Sequence, residues 1–192
     1  MIEAGGPPPL TEAEGRALLQ TARAAILAVL GERPGGTPAA PPQGLEARHP
    51  VFVTLHVAGR LRGCIGTLSG TEPLRTAVAD CARAAAFEDP RFAPLGKGEV
   101  QELTLEISVL GPRRPLADPA ALRLGEEGLV VTSGGRSGLL LPQVATEQGW
   151  DVVEFLEATC RKAGLPLTAW RDGARVERFA AQVFRECAER SS

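Results

Sequence analysis

The stretch of the sequence best suited to chemistry is the hexapeptide LRGCIG at residues 61–66. A cysteine thiolate is a nucleophile, and a nearby guanidinium favours the thiolate over the neutral thiol. Cys64 and Arg62 are two positions apart, which places two side chains on the same face of a strand. Gly63 and Gly66 would leave the backbone open to close approach by a ligand. The hexapeptide therefore predicts a site with Cys64 as the thiol and Arg62 as the stabilising or anion-binding cation.

The same residues also have an ordinary structural interpretation. Cysteine is among the most buried residue types, and glycines within strands often mark a bulge or a close helix contact. Cys64 is therefore either a reactive thiol or a small core residue. His56 is likewise open to two interpretations, as a base for the thiol or as a half-exposed strand residue. No orienting acid can be assigned to it from the sequence.

Two consecutive strand patterns surround Gly59 and predict a β-hairpin that sets the neighbours of Cys64. A three-residue loop pairs Thr54 with Cys64. It also pairs His56 with Arg62 and gathers the apolar residues on the opposite face. A two-residue loop would mix polar and apolar residues, so the hydrophobic pattern favours the longer loop.

Two further polar clusters are candidates for the same site. Asp89 and Arg91 occur in a loop-like EDPRF segment, where an Asp-Pro turn bridged by the arginine is the favoured explanation. Gln143, Glu147 and Trp150 follow an apolar strand. For these three residues, a binding role and a polar turn anchored by the tryptophan are both open.

The order of predicted elements indicates an α+β fold. The order strand-strand-helix occurs twice, over 51–87 and 128–163, and hairpins mixed with helices favour antiparallel pairing over a doubly wound parallel sheet. The predicted helices begin at a capping box Thr11–Glu14, at Pro73 and at Asp151. The predicted strands cover 51–57, 61–67, 102–110 and a hairpin turning at Gly134-Gly135. Residues 178–184 fit either a strand or a helix, and we choose the strand.

Composition bounds the function classes. The chain has 192 residues, of which 44% are hydrophobic, and a net charge of −2. This is enough for one sizeable core, and we predict a single domain over 1–192 with a Pro/Gly-rich flexible loop over 33–44. An acidic net charge argues against nucleic-acid binding, although Arg60, Arg62, Arg113 and Arg114 could form a local basic patch.

The N-terminus lacks the pattern of a signal peptide and no stretch is apolar enough to span a bilayer, which predicts a cytoplasmic protein with no membrane contact. The four cysteines are dispersed without a C-x-x-C pair, so no metal site is predicted and the thiols are expected to be free. Cys81 and Cys160 fall on apolar helix faces and Cys187 on a tail. The sequence identifies no cofactor.

Four blocks of the sequence resemble the AMMECR family over about residues 10–184. They are LRGCIGTL, DPRFAPL, ELTLEISVL and GLLLPQVATEQGWDVVEFLEATCRKAGL, in the order seen in that family. The resemblance implies an α+β fold with a barrel-like sheet, two related repeats and a smaller lobe within about 111–170. It also implies that residues 61–66 are a functional site. Less directly, it adds the site residues Asp89, Arg91, Gln143, Glu147 and Trp150.

The resemblance implies no defined reaction. Roles in transcription, replication, repair or translation have been suggested for the family, and its prokaryotic members are associated with Memo-type and radical-SAM proteins. Two functions follow as predictions. The first is a small-molecule or macromolecule-modification enzyme whose thiol is Cys64. The alternative is a non-catalytic interaction or adaptor domain in which the hexapeptide shapes a surface for a partner.

Overall fold

The computed structural model describes residues 10–32 and 43–186. The Pro/Gly-rich loop predicted over 33–44 lies outside the described residues except for its last two positions, and the predicted tail residue Cys187 lies outside them too. The described chain divides into two compact units. The N-terminal unit contains residues 10–109 together with 182–186, and the C-terminal unit contains residues 110–181. The smaller lobe predicted within about 111–170 falls in the C-terminal unit.

The N-terminal unit places two helices and an antiparallel sheet around one apolar core. Its elements are α1 (Glu12–Val29), β1 (Val51–Val57), β2 (Arg60–Thr67), α2 (Leu74–Phe87) and β3 (Leu103–Leu110), with 3-10 turns at Gln43–Glu46 and Lys97–Glu102. Strand β1 lies between β2 and β3 and pairs antiparallel with both. The core between helices and sheet includes the fully buried Leu18, Leu55 and Ile107.

The C-terminal unit repeats the hairpin-and-helix plan. Its elements are β4 (Arg114–Pro115), β5 (Glu127–Ser133), β6 (Arg136–Leu140), α3 (Pro142–Gln148), α4 (Val152–Lys162) and β7 (Arg175–Arg185), with a 3-10 turn at Pro119–Ala121. Strand β5 pairs antiparallel with β6 and with β7. The last residues of β7 belong to the N-terminal unit, where β7 lies beside β3. The predicted α+β class, antiparallel pairing and doubled strand-strand-helix order are confirmed.

Capping boxes in the sequence begin α1 and α4 where they were predicted. The Thr11 hydroxyl accepts a hydrogen bond from the Glu14 N–H at 3.3 Å, and the Glu14 carboxylate accepts one from the Thr11 N–H at 2.8 Å. Asp151 and Glu154 make the same reciprocal pair at the start of α4. These capping boxes satisfy backbone donors that an uncapped helix would leave without partners. None of the described helices is long and apolar enough to cross a lipid bilayer.

In each unit a strand glycine lies directly under the backbone of a helix. A Cβ atom at Gly63 would stand 2.0 Å from the carbonyl oxygen of Ala85 in α2. In the C-terminal unit, a Cβ at Gly138 would stand 2.4 Å from the backbone nitrogen of Ala163. Only glycine allows these contacts. The expectation that Gly63 leaves room for a ligand is therefore wrong, because α2 occupies that space.

The hairpin between β1 and β2 turns through two residues, not three. Ala58 and Gly59 both have positive φ, at 50° and 74°, and Val57 pairs directly with Arg60. Two central residues with positive φ define a type I′ turn, which matches the twist of the flanking strands. The predicted three-residue loop is wrong at this point, because alanine gives no sequence signal for a left-handed conformation.

A β-bulge then restores the predicted register further along the hairpin. His56 pairs with Leu61, and the register shifts before the next pair so that Arg62 is the extra residue on β2. The predicted pair of His56 with Arg62 is therefore wrong. Beyond the bulge Thr54 pairs with Cys64, as predicted. One inserted residue compensates for the shorter turn, so the apolar residues still share the core face.

Replacing Ala58 with asparagine is expected to stabilise the protein by about 0.5–1 kcal/mol, because asparagine tolerates positive φ better than alanine and Asn-Gly is the preferred type I′ pair. The measurement is urea denaturation followed by far-ultraviolet circular dichroism. Ala58→Val is the matched control and is expected to destabilise, since a β-branched side chain is strained at positive φ. A valine variant as stable as the asparagine variant would contradict the turn.

Candidate functional site

A row of polar side chains crosses the sheet of the N-terminal unit on the face opposite α2. Gly63 lies on the α2 face, and alternation along β2 therefore directs the Cys64 side chain to the other face. Thr54 on β1 lies opposite Cys64, and Glu106 on β3 lies opposite Thr54. Glu106 forms an ion pair with Arg185 at the end of β7. Thiol, hydroxyl, carboxylate and guanidinium thus follow one another across four strands.

The thiol and the hydroxyl of this row are in direct contact. Thr54 Oγ1 donates to Cys64 Sγ at 3.3 Å. The backbone N–H of Cys64 points away from β1, so the two residues form a non-hydrogen-bonded pair, the kind in which facing side chains lie closest. Thr54 is only 8% exposed, while Cys64 is half-buried. A hydroxyl that donates to sulfur is a group that can stabilise a thiolate.

Asp89 and Arg91 hold the backbone of Cys64 from the outer edge of β2. The Asp89 carboxylate accepts the Cys64 N–H at 2.9 Å and the Arg91 N–H at 3.1 Å. It also pairs with the guanidinium of Arg91, at 3.0 Å to Nε and 2.7 Å to Nη2. Arg91 Nη2 lies 3.5 Å from the Cys64 carbonyl oxygen. The predicted turn with a bridging arginine is present, and it is attached to the thiol's own residue.

The electrostatics of this pair follow from its geometry. The side-chain hydrogen bond from Arg91 holds the pKa of Asp89 well below its ordinary range, against the opposing effect of burial, and the N–H of Cys64 lowers it further. Asp89 is 4% exposed. The same hydrogen bond raises the pKa of Arg91, burial opposes it, and negative charge on Asp89 and Cys64 adds to the increase. Arg91 is therefore a fixed cation within electrostatic reach of the sulfur.

Arg62 is directed to different partners. Its guanidinium forms a two-pronged ion pair with Glu99, at 2.7 Å and 3.1 Å, and donates to the Ala93 carbonyl oxygen at 2.7 Å. This pairing lowers the pKa of Glu99, with a further contribution from a backbone N–H and opposition from burial. The cation that contacts Cys64 is Arg91, through the backbone carbonyl oxygen of Cys64. The predicted role of Arg62 beside Cys64 stays a prediction, and its contacts tie it to the loop after α2.

An aromatic ring covers the other glycine of the hexapeptide. A Cβ at Gly66 would stand 2.3 Å from the ring of Phe52, so the expected opening for a ligand at Gly66 is filled by that ring. Phe52 shares the face of Thr54 and His56 and is half-buried. The alternation of these three residues along β1 is the sequence signal that could have found Phe52. The His56 imidazole makes no hydrogen bond with another described residue, and its partner on β3 is Thr104.

The remaining predicted site residues belong to the C-terminal unit. Gln143 and Glu147 lie on α3, the first half-buried and the second exposed. Trp150 follows the left-handed Gly149 that ends this helix and packs against an apolar cluster of the same unit. The tryptophan packs in this cluster, but residues 142–148 form the helix α3 where a polar turn was expected. A binding role for these three residues stays a prediction.

Comparison of the two hairpins separates what the fold requires from what it does not. Val130 and Leu139 pair next to the helix-covered glycine of the C-terminal unit, where Thr54 and Cys64 pair in the N-terminal unit. On the neighbouring strand, the residue that pairs with Thr54 or with Val130 is a buried glutamate in both units, Glu106 in the N-terminal unit and Glu177 in the C-terminal one. The glutamate therefore recurs with the architecture, whereas the thiol and the hydroxyl replace an aliphatic pair.

The other described cysteines are poor candidates for chemistry. Cys160 is fully buried, and burial raises the pKa of its thiol. Burial also raises the pKa of Cys81 to about 11, helped by the negative charge of Asp80. Cys81 lines a cavity of about 210 Å³ at the start of α2, and a second cavity of about 420 Å³ lies between α1 and α2. Cys64 lines neither. Within the described residues, no group of three or more acidic, histidine or cysteine side chains is placed to hold a metal ion.

Comparison with known proteins identifies the family. The family model described as AMMECR1 matches residues 19–184, and the chain belongs to this family. A protein of Methanothermobacter thermautotrophicus is 47% identical over 186 residues, covering 93% of this chain and 97% of its own. A protein of Methanosarcina acetivorans is 44% identical over 188 residues, covering 92% and 94%.

A solved structure is also similar. The crystal structure of an uncharacterised protein from Pyrococcus horikoshii matches with a TM-score of 0.83 and 38% identity, covering 92% of this chain and 93% of that one. The resemblance that the four sequence blocks predicted is therefore confirmed. The relatives span the whole fold, so the family assignment extends to both units.

Proposed function

We propose that Cys64 is the reactive thiol of an enzyme that acts on a small molecule or modifies a macromolecule. The observation that carries this proposal is the Thr54–Cys64 pair, in which a buried hydroxyl donates to sulfur at 3.3 Å. The C-terminal unit builds the same position from valine and leucine, so architecture alone does not account for the polar pair. Asp89 fixes the backbone of the thiol's residue, and Arg91 supplies a nearby positive charge.

The roles divide among the residues as follows. Cys64 is the nucleophile, and the Thr54 hydroxyl stabilises the thiolate by donating to it. Asp89 is a positioning residue, because it touches the backbone N–H of Cys64 and the guanidinium of Arg91 without reaching the sulfur through any described contact. The ring of Phe52 covers Gly66, two residues from Cys64 on the same face of β2.

One observation favours the alternative of a non-catalytic interaction domain. Both glycines of the hexapeptide have packing partners, Ala85 for Gly63 and Phe52 for Gly66, so part of the motif serves the fold. The two functions differ in what Cys64→Ser does. This substitution keeps the shape of the surface and would preserve an adaptor in a complementation assay of a deletion strain, whereas it would abolish an enzyme that depends on the thiolate.

The enzyme proposal is tested by alkylating the folded protein with iodoacetamide at pH 7 and mapping the label by mass spectrometry. Cys64 is expected to react about tenfold faster than glutathione, because one hydrogen bond to a charged group is worth about 1.5–3 kcal/mol. Thr54→Val is expected to remove this advantage, and Thr54→Ser to retain it. Cys81 and Cys160 serve as internal controls and stay unlabelled while the protein is folded.

Two results would contradict the proposal. The first is labelling of Cys64 only after denaturant has exposed all the cysteines. The second is labelling in the folded protein at or below the rate of glutathione, with no difference between the valine and serine variants of Thr54. In either case the thiol is part of the architecture and the interaction domain becomes the better explanation.

A further inference from the structure

We infer that the electrophile accepted by the Cys64 thiol is a hydroperoxide, an inference that rests on the proposed function and names its substrate class. Two hydrogen-bond donors lie at Cys64 in different directions. The Thr54 hydroxyl donates to the sulfur from across the strand pair, and the Arg91 guanidinium lies at the strand edge, 3.5 Å from the Cys64 carbonyl oxygen. A peroxide has two adjacent oxygens. One must meet the sulfur, and the other must leave with negative charge that donors can stabilise.

Arg91 is built to donate to such a leaving oxygen. Its Nε and Nη2 are held by the buried carboxylate of Asp89, which fixes the plane of the guanidinium. Its Nη1 makes no hydrogen bond to any described residue, and half of the side chain is exposed at 51%. The ring of Phe92 lies under the guanidinium at 5.3 Å from its centre and limits its rotation. A tethered cation with free N–H groups is preorganised for a small anionic oxygen.

The surroundings of the sulfur suit a small electrophile. Cys64 is half-buried, and the ring of Phe52 covers Gly66, two residues further along β2 on the same face. A hydroperoxide group needs only access to the sulfur and room for two oxygens.

The step balances without a metal or cofactor. The sulfur lone pair attacks one oxygen, the S–O bond forms, the O–O bond breaks, and the thiol proton ends on the leaving oxygen. Cys–SH and ROOH give Cys–SOH and ROH, so sulfur is oxidised by two electrons and the peroxide is reduced. The other described cysteines are buried. Small thiols would therefore reduce the Cys64 sulfenic acid back to the thiol. The first thiol displaces water and forms a mixed disulfide with Cys64, and a second thiol then releases Cys64 as the free thiol.

The test compares two electrophiles on the same sulfur. The rate of sulfenic acid formation at Cys64 with hydrogen peroxide, trapped by a dimedone probe and mapped by mass spectrometry, is divided by its rate with iodoacetamide. The same ratio is measured for glutathione. Thiolate fraction cancels in this ratio, so an excess reports stabilisation of the leaving oxygen. We expect an excess of about tenfold or more, since one transition-state hydrogen bond supplies that factor.

Two substitutions assign the excess to its donors. Arg91→Lys keeps the charge but removes the planar pair of nitrogens and is expected to bring the ratio to that of glutathione. The matched control is Arg75→Lys, which is expected to leave the ratio unchanged. Arg75 lies in the first turn of α2 and forms an exposed ion pair with Glu46. Absence of label on Cys81 and Cys160 verifies that each variant is folded.

The outcomes separate the inference from the function on which it rests. Fast alkylation with a peroxide excess below tenfold overturns the hydroperoxide inference and leaves the reactive thiol in place. Slow alkylation overturns both. An excess that survives Arg91→Lys also overturns the inference, because the guanidinium would then have no part in the O–O cleavage.

Discussion

Replacing Gly63 with alanine is expected to lower the free energy of unfolding by about 2–3 kcal/mol, the cost of forcing an extra group into a filled core. The new Cβ would stand 2.0 Å from the Ala85 carbonyl oxygen, and that atom belongs to helix backbone, which cannot rotate away as a side chain can. Helix α2 must therefore move off β2 and loosen its contact with the buried Val53 and Leu55. Urea denaturation of the full chain, followed by far-ultraviolet circular dichroism, measures the loss.

Two other glycines calibrate this result. Gly98 has no atom within 4 Å of its Cβ position, so Gly98→Ala is expected to change stability by less than about 0.5 kcal/mol. Gly138 meets the backbone of Ala163 at 2.4 Å, so Gly138→Ala is expected to destabilise the protein as Gly63→Ala does. If the alanine variants of Gly63 and Gly98 unfold at the same urea concentration, α2 does not lie against β2 as described.

The hexapeptide thus combines two kinds of constraint. Gly63 and Gly66 are required by packing, since a helix backbone and an aromatic ring occupy the places of their side chains. Arg62 is required by the loop after α2, whose Glu99 it binds. Cys64 is different. It lies on the face away from α2, and the equivalent position in the C-terminal unit is a leucine. The fold therefore does not require a thiol at this position, and this is the argument for testing Cys64 first.

The fold could be predicted from the sequence where the signals are local. Capping boxes three residues apart located the first helix and α4, and patterns of apolar residues located the strands of both hairpins and β3. These patterns act within one or two turns of chain. The fold class followed from their order, because hairpins and helices in this succession pack as antiparallel layers.

The geometry of the site could be predicted only in part. The pair of Thr54 with Cys64 follows from strand alternation, but the turn depends on a positive φ at Ala58, which no residue type announces, and on a compensating bulge. The contact of Asp89 with Cys64 joins positions 25 residues apart, and that of Glu106 with Arg185 joins positions 79 apart. Such contacts are set by tertiary packing, so periodicity carries no information about them.

Replacing Asp89 with asparagine is expected to lower the free energy of unfolding by about 2–3 kcal/mol at pH 7, the range for charge-assisted hydrogen bonds that are lost in a buried place. The carboxylate is 4% exposed and accepts two backbone N–H groups, those of Cys64 and Arg91, besides the Arg91 guanidinium. An asparagine has the same shape, but its amide nitrogen would face one of these donors with another donor. The measurement is urea denaturation of both proteins at several pH values.

The pH dependence has a definite sign. Because the pKa of Asp89 in the folded protein lies below its ordinary value, the carboxylate stabilises the fold above about pH 4, and this contribution is lost as the pH falls below the unfolded value. The difference between wild type and Asp89→Asn is therefore largest near pH 7 and shrinks toward pH 3. Asp80→Asn removes an exposed partner of Arg83 and is expected to cost less than about 1 kcal/mol. A difference for Asp89→Asn that stays constant from pH 7 to pH 3 would show that the charge of Asp89 does not hold the loop against Cys64.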